Sequence, residues 1–205
     1  MTLSILIPSI ESRRELLSEL VCGLILQCGI IKNIFSFDQE GCNILILKFD
    51  KTEIIVAIDN KQITTGQKRN LLLSLANNEY CVQIDEDDYV YPYYVEEILN
   101  AIKSSPDCVA TNGIMTTDGN SLIEWRLSKS YPNVTINENG KQLYLRTTNH
   151  ISPVKRELAL KAMFPHISNG EDKEFSDRLN QFLFTETRID KPMYHYKFNS
   201  KKREY

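Results

Sequence analysis

Tyr80-Cys81-Val82-Gln83-Ile84-Asp85-Glu86-Asp87-Asp88-Tyr89-Val90 is a short apolar run that ends in four consecutive carboxylates. Tyr, Cys, Val and Ile suit a buried strand, whereas ionised acids are not buried unpaired. The strand is therefore expected to stop near Asp85 and release the acids at its carboxyl end, where open α/β sheets bind ligands. Two carboxylates about 4 Å apart repel by roughly 1 kcal/mol in water and roughly 4 kcal/mol at an effective dielectric of about 20, so several converging on one cleft need a cation. Mg²⁺ or Mn²⁺ suits oxygen ligands of this kind. A solvated acidic turn is the plain alternative, and this stretch alone does not separate the two.

Upstream of the acids, Thr64-Thr65-Gly66-Gln67-Lys68-Arg69-Asn70 leads into a helix whose buried face is Leu71, Leu72 and Leu75. Ile54 to Ile58 reads as the preceding strand and ends at Asp59-Asn60, a second carboxylate at a strand's carboxyl end. Strand, helix and strand then form a crossover unit that finishes at Asp85. Lys68 and Arg69 fall in the helix's first turns, where cations are unfavourable unless an anion meets them; two solvated charges are the alternative. Ile44 to Phe49 is a further strand, and Leu3 to Ser9, closed by Pro8, is a first strand buried on both faces. A helix follows, with Ser12 and Glu15 as its capping box and Leu16, Leu17, Leu20, Val21, Leu24 and Ile25 on its inner face up to Gly29.

Downstream, Pro92 opens a helix with Tyr94, Ile98 and Ile102 inward, and Cys108 to Thr111 is the next strand. Asp118-Gly119 and Asn139-Gly140 are hairpin turns beside Leu122 to Leu127 and Leu143 to Thr147, an antiparallel section expected to cap one sheet edge. Trp125 is a core anchor or a sugar-stacking platform, with core favoured. Ser152-Pro153 starts a helix through Met163, and Asn169-Gly170-Glu171-Asp172 places acids at the start of the helix bearing Phe175 and Leu179. Simple capping is the plain reading of those acids. Phe182 to Thr185 and Met193 to Tyr196 are two short closing strands.

The chain has 205 residues, enough for one sizeable core, and no linker or repeat divides it. A net charge of -3 argues against a nucleic-acid-coating surface; the basic tail 197–203 is a solvated end or a weak membrane contact. No apolar run approaches the ~20 residues of a membrane span, and no signal peptide is evident, so a cytoplasmic or membrane-peripheral location is expected. Cys22, Cys28, Cys42, Cys81 and Cys108 lack paired metal-site spacing and read as reduced core thiols.

Taken together, the chain resembles the GT-A fold glycosyltransferases, most closely family 2, over nearly its whole length. The carriers are Ser4-Ile5-Leu6-Ile7-Pro8-Ser9, the strand Ile54 to Asp59, Gly66-Gln67-Lys68-Arg69-Asn70 with Asp85-Glu86-Asp87-Asp88, and Asn169-Gly170-Glu171-Asp172. The resemblance implies one α/β domain over 1–205, with a nucleotide-binding half at about 1–111 and an acceptor-side half at about 112–205. It implies transfer of a sugar from a nucleotide-diphosphate donor, a UDP-sugar in particular, to a hydroxyl of a glycan, glycoprotein or other acceptor. Pro8, Ser9, Asp59, Lys68, Arg69, Asp85 and Glu86 would line the donor site, and Asp85, Asp87 and His195 would hold Mn²⁺ or Mg²⁺. Lys68 and Arg69 would order the loop, pair with the acids or approach the nucleotide. Asp172 would be the base of an inverting displacement, with Glu171 its rival. His195 is equally open to a structural role; His150 and His166 match no motif and are left as structural or acceptor-side residues. The alternatives are a degenerate nucleotide-sugar-binding module and a sugar-1-phosphate nucleotidyltransferase, the latter disfavoured because Pro8 to Ser12 lacks glycine.

Overall fold

The computed structural model describes residues 1–200, so part of the basic tail lies outside the described residues. Strand β1 (Leu3–Ile10) is buried over almost its full length. A single 3₁₀ turn, Glu11–Arg13, then leads into α1 (Arg14–Cys28), which buries Leu17, Leu20 and Leu24 and ends at Gly29 with φ of 90°. The Ser12 capping box does not form, because the 3₁₀ turn moves the helix start to Arg14, and Leu16 is exposed.

Strands β2 (Asn33–Gln39), β3 (Cys42–Lys48) and β4 (Thr52–Asp59) form an antiparallel ladder. The sequence reading missed β2. It is an edge strand with Ile34, Phe35 and Phe37 all exposed, and its alternation is confined to the short stretch Phe35-Ser36-Phe37-Asp38.

Helix α2 (Thr65–Leu75) carries a reciprocal cap in which the Thr64 hydroxyl accepts from Gln67 N and the Gln67 side chain accepts from Thr64 N. It returns the chain to β5 (Tyr80–Gln83), which stops just before the acids. After β6 (Tyr89–Val90) and α3 (Tyr94–Ala101) comes β7 (Cys108–Thr117), which runs well past the Thr111 expected from sequence. The turn at Asp118-Gly119 leads to β8 (Asn120–Leu127), and the Asn139-Gly140 turn joins β9 (Val134–Glu138) to β10 (Lys141–Arg146).

The chain ends differ most from expectation. Ser152-Pro153 leads not into a helix but into β11 (Val154–Lys155), which bridges β5 and β7 before α4 (Arg156–Ala162). After α5 (Glu171–Leu179), Asn180–Phe182 is a 3₁₀ turn, and one long strand β12 (Glu186–Phe198) replaces the two short ones. β12 runs parallel to β7, with register shifts at Pro192, and antiparallel to β6. Pro192 has no N–H to donate, so the ladder slips there and the apolar pattern reads as broken.

All strands join one twelve-stranded mixed sheet, whose main order is β2-β3-β4-β1-β5-β11-β7-β8-β10-β9. Helices α1 and α3 pack on one face and α2, α4 and α5 on the other, giving three layers. The two expected halves therefore share a single sheet, with β11 and β12 of the second half paired to β5, β6 and β7 of the first. Trp125 is core: it is buried, stands edge-on to Tyr194 at 6.2 Å, and lies where Gly113 offers no side chain. All five cysteines are free, and burial pushes the Cys81 and Cys108 thiols up to about 12. Cys22 is an exception to the core expectation, being exposed. No helix among the described residues is long and apolar enough to cross a membrane.

Candidate active site

Strands β1, β4 and β5 are parallel, and their carboxyl ends bring Ile10 beside Asp59 and Leu6 beside Gln83 on one sheet edge. The first turns of α2 stand behind this edge, and every member of its Gly-x-Lys-Arg-Asn run has an assigned task. Gly66 lies so close to Pro165 and Ile167 that a Cβ would collide with the Pro165 carbonyl, and its N–H donates to Ile167 O at 3.0 Å. Asn70 exchanges two hydrogen bonds with the Phe164 backbone, at 2.9 and 2.8 Å. Lys68 donates to Ser9 O at 2.7 Å and pairs with Asp59 Oδ1. The guanidinium of Arg69, only 4% exposed, donates to Asp85 Oδ1 at 2.8 Å, Gln83 Oε1 at 2.9 Å and Glu171 Oε1 at 3.4 Å.

Arg69 therefore joins the acidic turn after β5 to the first turn of α5, and of the three roles open to it the structure shows pairing with the acids. Burial opposes its charge, but the fields of Asp85, Glu171 and Asp172 more than offset this and hold its pKa above the ordinary value. Burial also works to raise the Asp85 carboxyl, yet Arg69 and His150 outweigh it and keep Asp85 well below the usual carboxylate range. Removing one partner of a buried ion pair typically costs about 3–5 kcal/mol, so the two acidic motifs are held together firmly.

The four acids after β5 divide their labour. Asp85 is held by Arg69, with His150 Nε2 3.4 Å from its other oxygen. Glu86, expected to touch the nucleotide-sugar, is instead buried and accepts from Arg13 at 2.8 Å; burial raises its carboxyl, and Arg13 offsets this only in part. Asp87 faces the same Arg13 at 3.5 Å. Asp88 is an anchor: it accepts from Tyr194 Oη at 2.7 Å and Lys197 N at 2.8 Å, tying the turn to β12. Desolvation, then the Asp85 charge, pushes Asp88 well above its ordinary value.

Asp59 also differs from expectation. Its side chain is fully covered, with Oδ1 on Lys68 and Oδ2 accepting from Gln62 N at 2.9 Å and Ile63 N at 3.1 Å, so it orders the loop after β4 rather than presenting an acceptor to a base. Those bonds outweigh burial and lower its carboxyl. Pro8 is packed inside β1, while Ser9 Oγ, beside the Lys68–Asp59 pair, is buried with no partner among the described residues.

Glu171 and Asp172 open α5 after Gly170, whose φ of 81° sets the turn. Glu171 is buried against Arg69, whereas Asp172 is half-buried. Successive residues on a helix point about 100° apart, so only one of the two turns inward. Tyr196 follows Tyr194 on the same face of β12 and is 39% exposed; partial desolvation, then the carboxylates of Asp88, Asp85, Asp87 and Asp172, raise its phenol. His195 is not brought to the acids. Residues alternate across a strand, and with Tyr194 facing Asp88 the imidazole of His195 points the other way, Nε2 2.8 Å from Thr116 Oγ1. Burial and Lys197 lower its pKa.

The sequence reading passed over Arg13, Tyr194 and Tyr196, and left His150 as a structural or acceptor-side residue. A basic residue straight after a first strand was the available signal for Arg13. The others sit among ordinary strand and loop residues whose partners are far away in the chain.

A three-layer α/β/α domain with carboxylates gathered at the carboxyl edge of its parallel strands is the layout of nucleotide-diphospho-sugar transferases of the GT-A fold. The chain belongs to glycosyl transferase family 2, whose model matches residues 4–161. Its fold is similar to that of S. aureus TarS 1-349, with a TM-score of 0.63 and 17% identity over 96% of this chain and 60% of that one. The same TarS fragment in complex with UDP-GlcNAc matches with a TM-score of 0.63 and 16% identity, over 96% of this chain and 58% of that one. In complex with UDP it gives 0.63 and 15%, over 96% and 60%. The chain thus spans about three-fifths of the TarS fragment and 37% of the longer TarS structure. No curated protein matches the chain by sequence.

Proposed function

We propose that the chain transfers a sugar from a UDP-sugar to an acceptor hydroxyl, with a divalent cation and inversion at the anomeric carbon. The observation that carries this reading is the Arg69 bridge, which ties the acidic turn after β5 to Glu171 at the start of α5. Family membership supports the class of reaction, and the UDP and UDP-GlcNAc complexes of the TarS fragment support the donor.

Among the described residues no three His, Cys, Asp or Glu side chains converge as a ready-made metal cage. The residues nonetheless fit Mn²⁺ or Mg²⁺ in a donor complex, since a nucleotide-bound cation takes one or two protein carboxylates and fills its sphere with phosphate oxygens and water. Asp87, with Asp85 beside it, would supply those carboxylates, and the bound cation would neutralise charge on the departing diphosphate. Arg69 fixes one Asp85 oxygen, so the turn is oriented before the donor arrives. Arg13 adds a cation at the same turn. Asp172 is the base: it lies in the first turn of α5, whose rigid frame can aim it, and takes the acceptor proton as the oxygen attacks. Glu171 is committed to Arg69 and serves to place that helix end.

Thermal-shift and calorimetric titration with UDP, GDP and CDP, each with and without Mn²⁺, tests class, base and metal together. Metal-dependent stabilisation greatest with UDP is the expected result. Tighter metal-dependent binding of GDP would overturn the donor assignment, and no response to any nucleotide would overturn the class.

A further inference from the structure

His150 sits in the loop between β10 and β11, and nothing in the reaction scheme above uses it. Its main chain is fixed beside the acidic turn, with its carbonyl accepting from Gln83 N at 3.0 Å. Its side chain is only 9% exposed, with Nε2 3.4 Å from Asp85 Oδ2. The other oxygen of Asp85 is the one that Arg69 holds at 2.8 Å. The two donors therefore reach the carboxylate on separate oxygens, from separate elements. The last torsion of an Asp side chain is otherwise broad, so contacts on both oxygens fix the plane of the group.

We propose that His150 is a positioning residue of the donor site, holding Asp85 Oδ2 so that the acidic turn is set to receive the metal and nucleotide diphosphate. The inference rests on reading this cleft as the donor site. A contact to the Asp85 oxygen requires the hydrogen on Nε2; Nδ1 is then an acceptor in the neutral ring and a second donor in the charged one. Nδ1 is buried with no partner among the described residues, and a buried unpaired polar atom costs roughly 1–3 kcal/mol. A side chain placed only to fill space would avoid that cost, and a Phe of similar shape would do so. The site keeps an imidazole whose one partnered nitrogen is aimed at the acid.

The test compares His150→Phe, His150→Gln and His150→Asn with the wild type. Gln carries its amide nitrogen at the same distance from Cβ as Nε2; Asn carries it where Nδ1 lies. UDP is titrated calorimetrically at fixed Mn²⁺, and Mn²⁺ at fixed UDP, with thermal unfolding of each variant recorded without nucleotide. Partners of a ligating group typically change metal affinity 10–100-fold, so His150→Phe and His150→Asn are expected to lose that much Mn²⁺ affinity, and His150→Gln to stay within about threefold of wild type. The apparent KM for a UDP-sugar should rise more than kcat falls, and the unfolding temperature of His150→Phe should not drop. Wild-type affinity in His150→Phe would overturn the inference while leaving the donor site standing. So would His150→Gln no better than His150→Asn, a comparison that holds even if the Phe variant fails to fold. A wild-type chain that binds no UDP with Mn²⁺ would overturn the donor-site reading itself, and this inference with it.

Discussion

At the scale of single residues, the acids of this cleft differ by their partners rather than by their chemistry. Glu171 and Asp172 are neighbours in sequence, yet one is buried against Arg69 and the other is half-buried. Asp172→Asn is expected to lower single-turnover transfer by about 10²–10⁴-fold, the usual size of a general-base contribution, with UDP affinity unchanged. Glu171→Gln should instead lower stability, because it leaves part of the Arg69 charge uncompensated. Wild-type transfer by Asp172→Asn, with Glu171→Gln inactive but stable, would reverse the two roles. Asp87→Ala should abolish the dependence of UDP binding on Mn²⁺; equal UDP affinity of the wild-type chain with Mn²⁺ and with chelator would remove the cation from the scheme.

Among the elements, α2 decides the site. Residues 66, 69 and 70 recur at helical spacing and meet the 164–171 segment, while Lys68 turns to β1 and β4. The helix start therefore couples the strand ends to the segment that leads into α5. Gly66→Ala should push Pro165 away; overpacking of this kind typically costs about 1–3 kcal/mol, read as a lower midpoint in urea unfolding. Because that segment carries Asp172, turnover of Gly66→Ala should fall further than its UDP affinity. An unchanged midpoint would show that the 164–167 segment yields without cost.

Over the whole molecule, β7, β11 and the start of β12 are stitched together through Asp107, whose carboxylate accepts from Lys155 Nζ, Phe184 N and Thr185 N at 2.9 Å each. Burial opposes this, but the Lys155 and backbone bonds prevail and hold Asp107 at about 2. In the unfolded chain an aspartate titrates near 4 (roughly 3.9), so between about 4 and 2 the unfolded state binds more protons. The stabilising contribution of Asp107 is thus complete above its unfolded value and is lost as pH falls through its folded one. Stability measured by urea unfolding should decline over that window, and Asp107→Asn should flatten the decline while lowering stability at neutral pH. An identical acid slope in wild type and variant would dismiss the stitch.

The sequence by itself determined the parallel unit β1, β4, α2 and β5, the acidic edge and the helix that carries Glu171 and Asp172. These depend on contiguous patterns: apolar runs that end in acids, and leucines at helical spacing. It did not determine which carboxylate does what, because each is assigned by a partner far along the chain: Arg13 for Glu86, Tyr194 for Asp88, Arg69 for Glu171, and Arg69 and His150 for Asp85. Nor did it show β2, whose alternation is confined to Phe35 to Asp38, or the unity of β12, which Pro192 breaks in register but not in path. Of the two roles the sequence left open for His195, the structure places its imidazole on Thr116, because the face of a strand is set by its neighbours' pairing and not by residue type. Local propensity is written within a few residues, whereas the pairing of buried charges is an energetic choice made only once distant segments are packed together.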